Sequence, residues 1–287
     1  MSGRIEVLMK KYFVYDGSVT YDGETVYEIT YNAGRPVEMV RSYRDDIDPG
    51  PGVVGEYYCI TEETIDFTYD DISGNAVAES NTLDTYYPSG KVENEVSIHE
   101  LAYRIGADFY PIADSGSYIW PQEDDTPSRF AYDYDYDNYL KQSHNDDGEP
   151  GSWLTCDFTW KDGNLAKISQ LNSYGESWLK YEYADSSLKN NIRGFDLNWL
   201  LIHNSETMDF AAGDITKIWA AFGFIGNRSK NLATCITESE SGSDAIWTYR
   251  MTYKSHNKYQ TEVRVEAYRN NVLDSYDEWV IKYSGAL

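Results

Sequence analysis

The stretch "FTWKDGNLAKI", Phe158 to Ile168, decides the fold. Asp162-Gly163 sits between two runs in which apolar and polar residues alternate. A pair that tolerates positive φ between alternating runs signals a β-hairpin with a two-residue turn. The first strand ends in Trp160, and the return strand resumes with Leu165 and Ile168.

The same phrase recurs along the chain: an aromatic-rich strand end, a polar turn, then two spaced apolar residues. It reads "ITYNAGRPVEMV" from Ile29 to Val40, "TYYPSGKVENEV" from Thr85 to Val96 and "YDYDNYLKQS" over 134–143. It reads "YEYADSSLKNNI" from Tyr181 to Ile192 and "MTYKSHNKYQTEV" from Met251 to Val263. "FTYDDISGNAV", Phe67 to Val77, is a copy with a longer loop. Repetition of one hairpin unit predicts an all-β chain, an antiparallel meander closing into a soluble barrel or strongly curved sheet. The Gly/Pro/Asp-rich segments 45–55 and 145–153 have hairpin phrases on both sides, so they read as long loops within a single domain, 1–287.

One stretch breaks the pattern. Residues 194–227, "GFDLNWLLIHNSETMDFAAGDITKIWAAFGFIGN", read as helix and loop, with Asp196 and Asp214 as N-caps. Ile215, Ile218, Trp219 and Phe222 fall at helical spacing and form one apolar face. The segment is expected to cap a sheet face or barrel end.

Composition narrows the partners. The 287 residues include 27 Tyr, which suits half-buried strands whose hydroxyls stay wet. The formal net charge of −24 repels phosphate backbones and argues against nucleic acid. Cys59, Cys156 and Cys235 form neither a disulfide framework nor a zinc motif, and the sequence leaves their pairing open. No run approaches the roughly 18 apolar residues of a membrane helix. The opening "MSGRIEVLMKKY" enters a strand-like pattern at once and shows no signal peptide.

The hairpin phrases resemble YD-type repeats of secreted bacterial shell proteins. With "NNIRGFDLNWLL" (190–201) and "GFIGNRSKNLATCI" (223–236), most of the chain is similar to a family of secreted lipoproteins from Gram-negative gut bacteria, of unknown function and porin-like β-barrel fold. Ala233 stands where that family usually carries proline. The resemblance implies export to the periplasm or cell surface, with a lipid anchor on a leader cysteine absent from this sequence. It brings no catalytic residues. A porin's outward apolar band is not expected, because "KVENEVSIHE" and "YQTEVRVEAY" place charges among their apolar residues.

Chemistry is sparse. Asp133, Asp135 and Asp137 match the start of an EF-hand loop. The match then fails, with Asn138 where Gly is needed and His144 where a bidentate Glu is needed. In an extended strand these aspartates share a wet face and Tyr132, Tyr134 and Tyr136 share a packed one, leaving only weak cation binding. No nucleophile elbow, phosphate loop or metal spacing is present, so no cofactor and no catalytic residue is expected. Trp160 fills the repeat's Tyr slot and reads as structural. Trp120 in "YIWPQEDD" and Trp153 in "EPGSWL" do not, and with the three tyrosines they are the candidate ligand contacts. The expected role is a non-enzymatic envelope protein that binds or scaffolds, with a glycan or an envelope protein as partner. The alternatives are a glycan hydrolase with paired carboxylates and a structural shell protein.

Overall fold

The computed structural model describes residues 4–15, 18–47, 55–70, 75–103, 111–119, 128–146, 154–172, 175–184, 187–201, 217–239 and 242–284. Sixteen strands follow in chain order. They are β1 (Ile5–Tyr15), β2 (Val19–Asn32), β3 (Arg35–Asp46), β4 (Tyr58–Tyr69), β5 (Ala76–Tyr87), β6 (Lys91–Tyr103), β7 (Pro111–Ile119) and β8 (Ser128–Tyr134). Then come β9 (Leu140–Asp146), β10 (Leu154–Lys161), β11 (Asn164–Asn172), β12 (Gly175–Glu182), β13 (Cys235–Ser239), β14 (Ile246–His256), β15 (Tyr259–Arg269) and β16 (Val272–Tyr283). Each strand pairs antiparallel with the next, and β1 pairs with β16, so the meander closes into a barrel.

The turns follow the chemistry read from the sequence. Lys161 pairs with Asn164 across Asp162 (φ 54°) and Gly163 (φ 78°), the two positive φ values of a type I′ turn. Ala33-Gly34, Asn257-Lys258 and Asn270-Asn271 turn the same way. The Asn270-Asn271 hairpin carries the same slot, with Tyr268 opposite Leu273 beside a register shift at Ala267/Tyr268. "YEYADSSLKNNI" is not a hairpin. β12 ends at Glu182 and the chain leaves the sheet there, returning as β13.

The spacing of the phrase has a physical origin. In "FTWKDGNLAKI" the register shifts between Thr159 and Trp160, so Leu165 and Ile168, three apart, both face inward and are buried. A β-bulge absorbs the extra residue. The same shift recurs at Thr30/Tyr31, Asp133/Tyr134 and Lys254/Ser255.

The aromatic slot has a second task. The β11–β12 ladder stops at Lys167 opposite Lys180, so the backbone of Leu165, two residues further towards the turn, has no strand partner on that side. Tyr183, three residues past Lys180, donates its hydroxyl to the Leu165 carbonyl at 2.8 Å. The relation repeats: Tyr69 to Pro36 at 2.6 Å, Trp160 to Leu140 at 2.7 Å, Tyr253 to Ala233 at 2.6 Å and Tyr283 to Gln260 at 2.7 Å. In each case the donor lies three residues past the last ladder pair and the acceptor two residues beyond it. An aromatic ring can pack while its polar tip satisfies a carbonyl that the sheet leaves unpaired.

These latches mark the end of the barrel where β12 passes to β13. There Trp219, Phe222 and Phe195 pack into one cluster with Phe67 of β4, and Trp199 meets Phe158 of β10. The connecting segment thus packs against two separated parts of the wall. Asp196 caps Leu197–Trp199, a single 3₁₀ turn where the sequence suggested a longer helix. Residues 217–221 are helical, whereas the expected cap Asp214 lies outside the described residues.

The outer wall carries charge. Arg264 bridges Glu266 at 3.0 Å and Glu278 at 2.9 Å, Lys254 meets Glu262, and Lys167 meets Glu176. Among the described residues no helix is long and apolar enough to cross a membrane.

Candidate functional site

The segment between β12 and β13 is held by a buried carboxylate. Asp196 is fully buried and accepts from the backbone N–H of Asn198 (3.1 Å) and Ser229 (2.8 Å) and from the Asn190 amide (3.0 Å). Arg228 donates to the carbonyls of Ile192 and Phe195. Burial lifts the Asp196 carboxyl to about 6 despite these donors. The Ala233 N–H donates to Asn198 Oδ1 at 2.9 Å. Proline has no N–H, so the departure at 233 supplies a bond that proline would forfeit. This network fixes the path of the segment across the barrel end.

The sequence-derived site residues do not converge. Trp120 and Trp153 lie outside the described residues. Tyr132 is buried, Tyr134 is half-buried, and Tyr136 is fully exposed. The expected packed stripe of three tyrosines is therefore wrong at Tyr136. The strand ends at Tyr134, and Asp135 starts the turn by accepting from the N–H of Asp137 (3.0 Å) and Tyr139 (2.9 Å). The turn spans 135–139, with Asn138 at φ 61°. Asp133 leans towards His144 at 3.6 Å. No group of three metal-ligating side chains occurs among the described residues.

A pocket of about 320 Å³ opens at the far end, away from the aromatic latches. Tyr57, Tyr86, Tyr87, Pro88 and Ile47 line it, with Ser89 and Lys91. Tyr87 stacks on Tyr58 with ring centroids 4.7 Å apart, and the Arg44 guanidinium lies 3.9 Å over the Tyr58 ring. The Tyr86 hydroxyl donates to Glu93, which also receives Lys91. That bond lifts the Tyr86 phenol to about 12. "TYYPSG" already carried the signal, two adjacent tyrosines before a Pro-containing turn, but it reads equally as strand grammar. The same half of the barrel carries most of the exposed large apolar side chains among the described residues, including Tyr15, Val19, Tyr21, Ile60, Leu83 and Leu171.

A second polar cluster faces inward on β16, β1, β3 and β4. Lys10 is 3% exposed and Asp277 7%, and both feel burial more strongly than each other. Burial pushes the Lys10 ammonium down, helped by Arg41, and pushes the Asp277 carboxyl up to about 6. Arg41 pairs with Glu63 at 2.8 Å, and Ser80 donates to Glu63 at 2.8 Å. Buried polar side chains continue round the wall in the register-linked row Ser143, Cys156, Gln170 and Ser177. Cys59, Cys156 and Cys235 are free thiols on separate strands.

The architecture defines a class, the porin-like all-β barrel. A porin-like protein from Bacteroides uniformis superposes with a TM-score of 0.60 at 12% identity, over 97% of this chain and 96% of that one. A second, from Bacteroides vulgatus, aligns with a TM-score of 0.33 at 11% identity, over 99% of this chain and 100% of that one. No protein-family description and no curated protein matches the sequence.

Proposed function

We propose that this chain is a non-enzymatic barrel of the bacterial envelope that binds a glycan at its far end. The carrying observation is the pocket lined by Tyr57, Tyr86 and Tyr87, with Ser89 and Lys91 at hand. Sugar rings present apolar C–H faces to aromatic rings, and their hydroxyls take the polar groups at the edge of such a pocket. The envelope assignment draws on the sequence resemblance and on porin-like neighbours from Bacteroides. Charged pairs on the outer wall support a barrel that stands in water, because a lipid-facing wall needs a continuous apolar band. A glycan array tests the reading, followed by calorimetry on each hit. Tyr87→Ala should weaken binding about tenfold or more, equivalent to ~1.4 kcal/mol, with the circular dichroism unchanged. An array without hits, or wild-type affinity in Tyr87→Ala, refutes it.

A further inference from the structure

The far-end pocket draws on the inward row where Tyr86 of β5 stands opposite Lys91 of β6. Register extends that row to Cys59 and Asp45, because directly opposed residues of antiparallel strands share a face. One step further from the β5–β6 turn, the next inward row runs Thr61, Asp84 and Glu93. The pocket of about 320 Å³ thus has aromatic walls, with carboxylates in its own row and in the row beneath. Its volume lies in the range of small-molecule sites. We propose that the far-end pocket selects a basic amino sugar, a hexosamine with a free, protonated amine, over neutral and acidic sugars of the same shape. The inference rests on the glycan reading of that pocket and adds the charge of the sugar.

The charges around the pocket select that class. Both cations beside it are already committed: Lys91 meets Glu93, and Arg44 meets Asp46 at 2.9 Å and Glu56 at 3.8 Å. No ion pair among the described residues includes Asp45 or Asp84. Asp84 accepts the Thr61 hydroxyl at 2.6 Å, a neutral donor that leaves its charge in place. Asp45 sits two residues before Ile47 of the pocket, and burial, then Asp84 and Asp46, push its carboxyl above the ordinary value. Asp45, Asp46, Glu56, Asp84 and Glu93 therefore outnumber Arg44 and Lys91. A carboxylate or sulfate on a ligand would meet like charge, and a neutral sugar would gain nothing from the excess. An ammonium relieves the repulsion between Asp45 and Asp84 and brings three donors to them. Asp45 is exposed, so water screens part of that attraction and the preference is severalfold.

The test titrates the whole ¹⁵N-labelled chain and follows the backbone amides of Ser89 and Lys91, which border the pocket. D-glucosamine, D-glucose and D-glucuronate are the probes, at a pH where the amine is protonated and the uronate ionised. D-glucosamine should bind about fivefold more tightly than D-glucose, and D-glucuronate more weakly than either. Asp45→Asn combined with Asp84→Asn should bring D-glucosamine down to the affinity of D-glucose. Asp45→Asn alone, at an exposed position, should narrow the preference to about twofold, and it carries the reading if the double variant does not fold. Tyr87→Ala should weaken D-glucosamine and D-glucose alike, whereas charge attraction outside the pocket would survive it. D-glucose or D-glucuronate bound as tightly as D-glucosamine overturns the proposal and leaves the glycan reading standing. A preference untouched by the aspartate substitutions, or by Tyr87→Ala, overturns it too. If none of the three sugars moves the amides, this proposal falls, and the glycan reading is decided separately by the array.

Discussion

Trp160 on β10 donates its indole N–H to the carbonyl of Leu140 on β9 at 2.7 Å, and Tyr69, Tyr183, Tyr253 and Tyr283 do the equivalent elsewhere around the barrel. Removing the donor alone strands a partly buried carbonyl. Trp160→Phe, Tyr69→Phe and Tyr283→Phe should each cost about 1–2 kcal/mol in urea unfolding. Tyr31 occupies the corresponding slot on β2, three residues past the Glu28–Val7 pair, but its buried hydroxyl has no hydrogen-bond partner. Tyr31→Phe should therefore be neutral or stabilising. Equal costs at Tyr31 and Tyr69 would refute the latch rule.

Asp196 ties Ser229 and Asn198 to Asn190 through one buried carboxylate. Asp196→Ala leaves buried donors unmatched and should destabilise by roughly 3 kcal/mol or more. Hydrogen exchange should accelerate first at residues 187–201 and 217–234, ahead of β14–β16. Uniform loss of protection would show that this segment is not a separate element.

Asp277 predicts the sign of a pH dependence. Its folded carboxyl titrates at about 6, above its ordinary value of 3.8, because burial disfavours the charge. A raised folded pKa means the native state binds the extra proton, so its contribution is fully present below pH 4 and is lost as pH rises to about 6. The loss is bounded at roughly 3 kcal/mol. Asp277→Asn should flatten that part of the stability–pH curve, and a mutant curve parallel to wild type would contradict it.

Gly163 holds φ 78° in the Asp162-Gly163 turn, and a methyl there would meet the Lys230 side chain. Gly163→Ala should cost about 1–2 kcal/mol. Asp162→Asn should be tolerated within roughly 0.5 kcal/mol, because asparagine accepts positive φ at least as well. Thermal unfolding of the two variants decides the matter.

The sequence by itself determined the hairpin unit. Asp162-Gly163, Ala33-Gly34 and their flanking alternation are local, and local φ preference and side-chain period specify a turn without help from the rest of the chain. The phrase also revealed the aromatic slot, though not its acceptor, because Leu140 and Trp160 are 20 residues apart and meet only once the ladder ends in register. Tertiary structure alone decided the rest. Closure needed β1 to find β16, some 270 positions away. The fate of "YEYADSSLKNNI" depended on the packing of Trp219 against Phe67 of β4 and of Trp199 against Phe158 of β10. The YDYDYD run looked uniform, yet it divides into a buried Tyr132, a turn-forming Asp135 and an exposed Tyr136. A periodic pattern cannot state where its strand stops. The far-end pocket was hidden because the sequence does not state the register that sets Tyr57 beside Tyr86 and Tyr87 across β4 and β5.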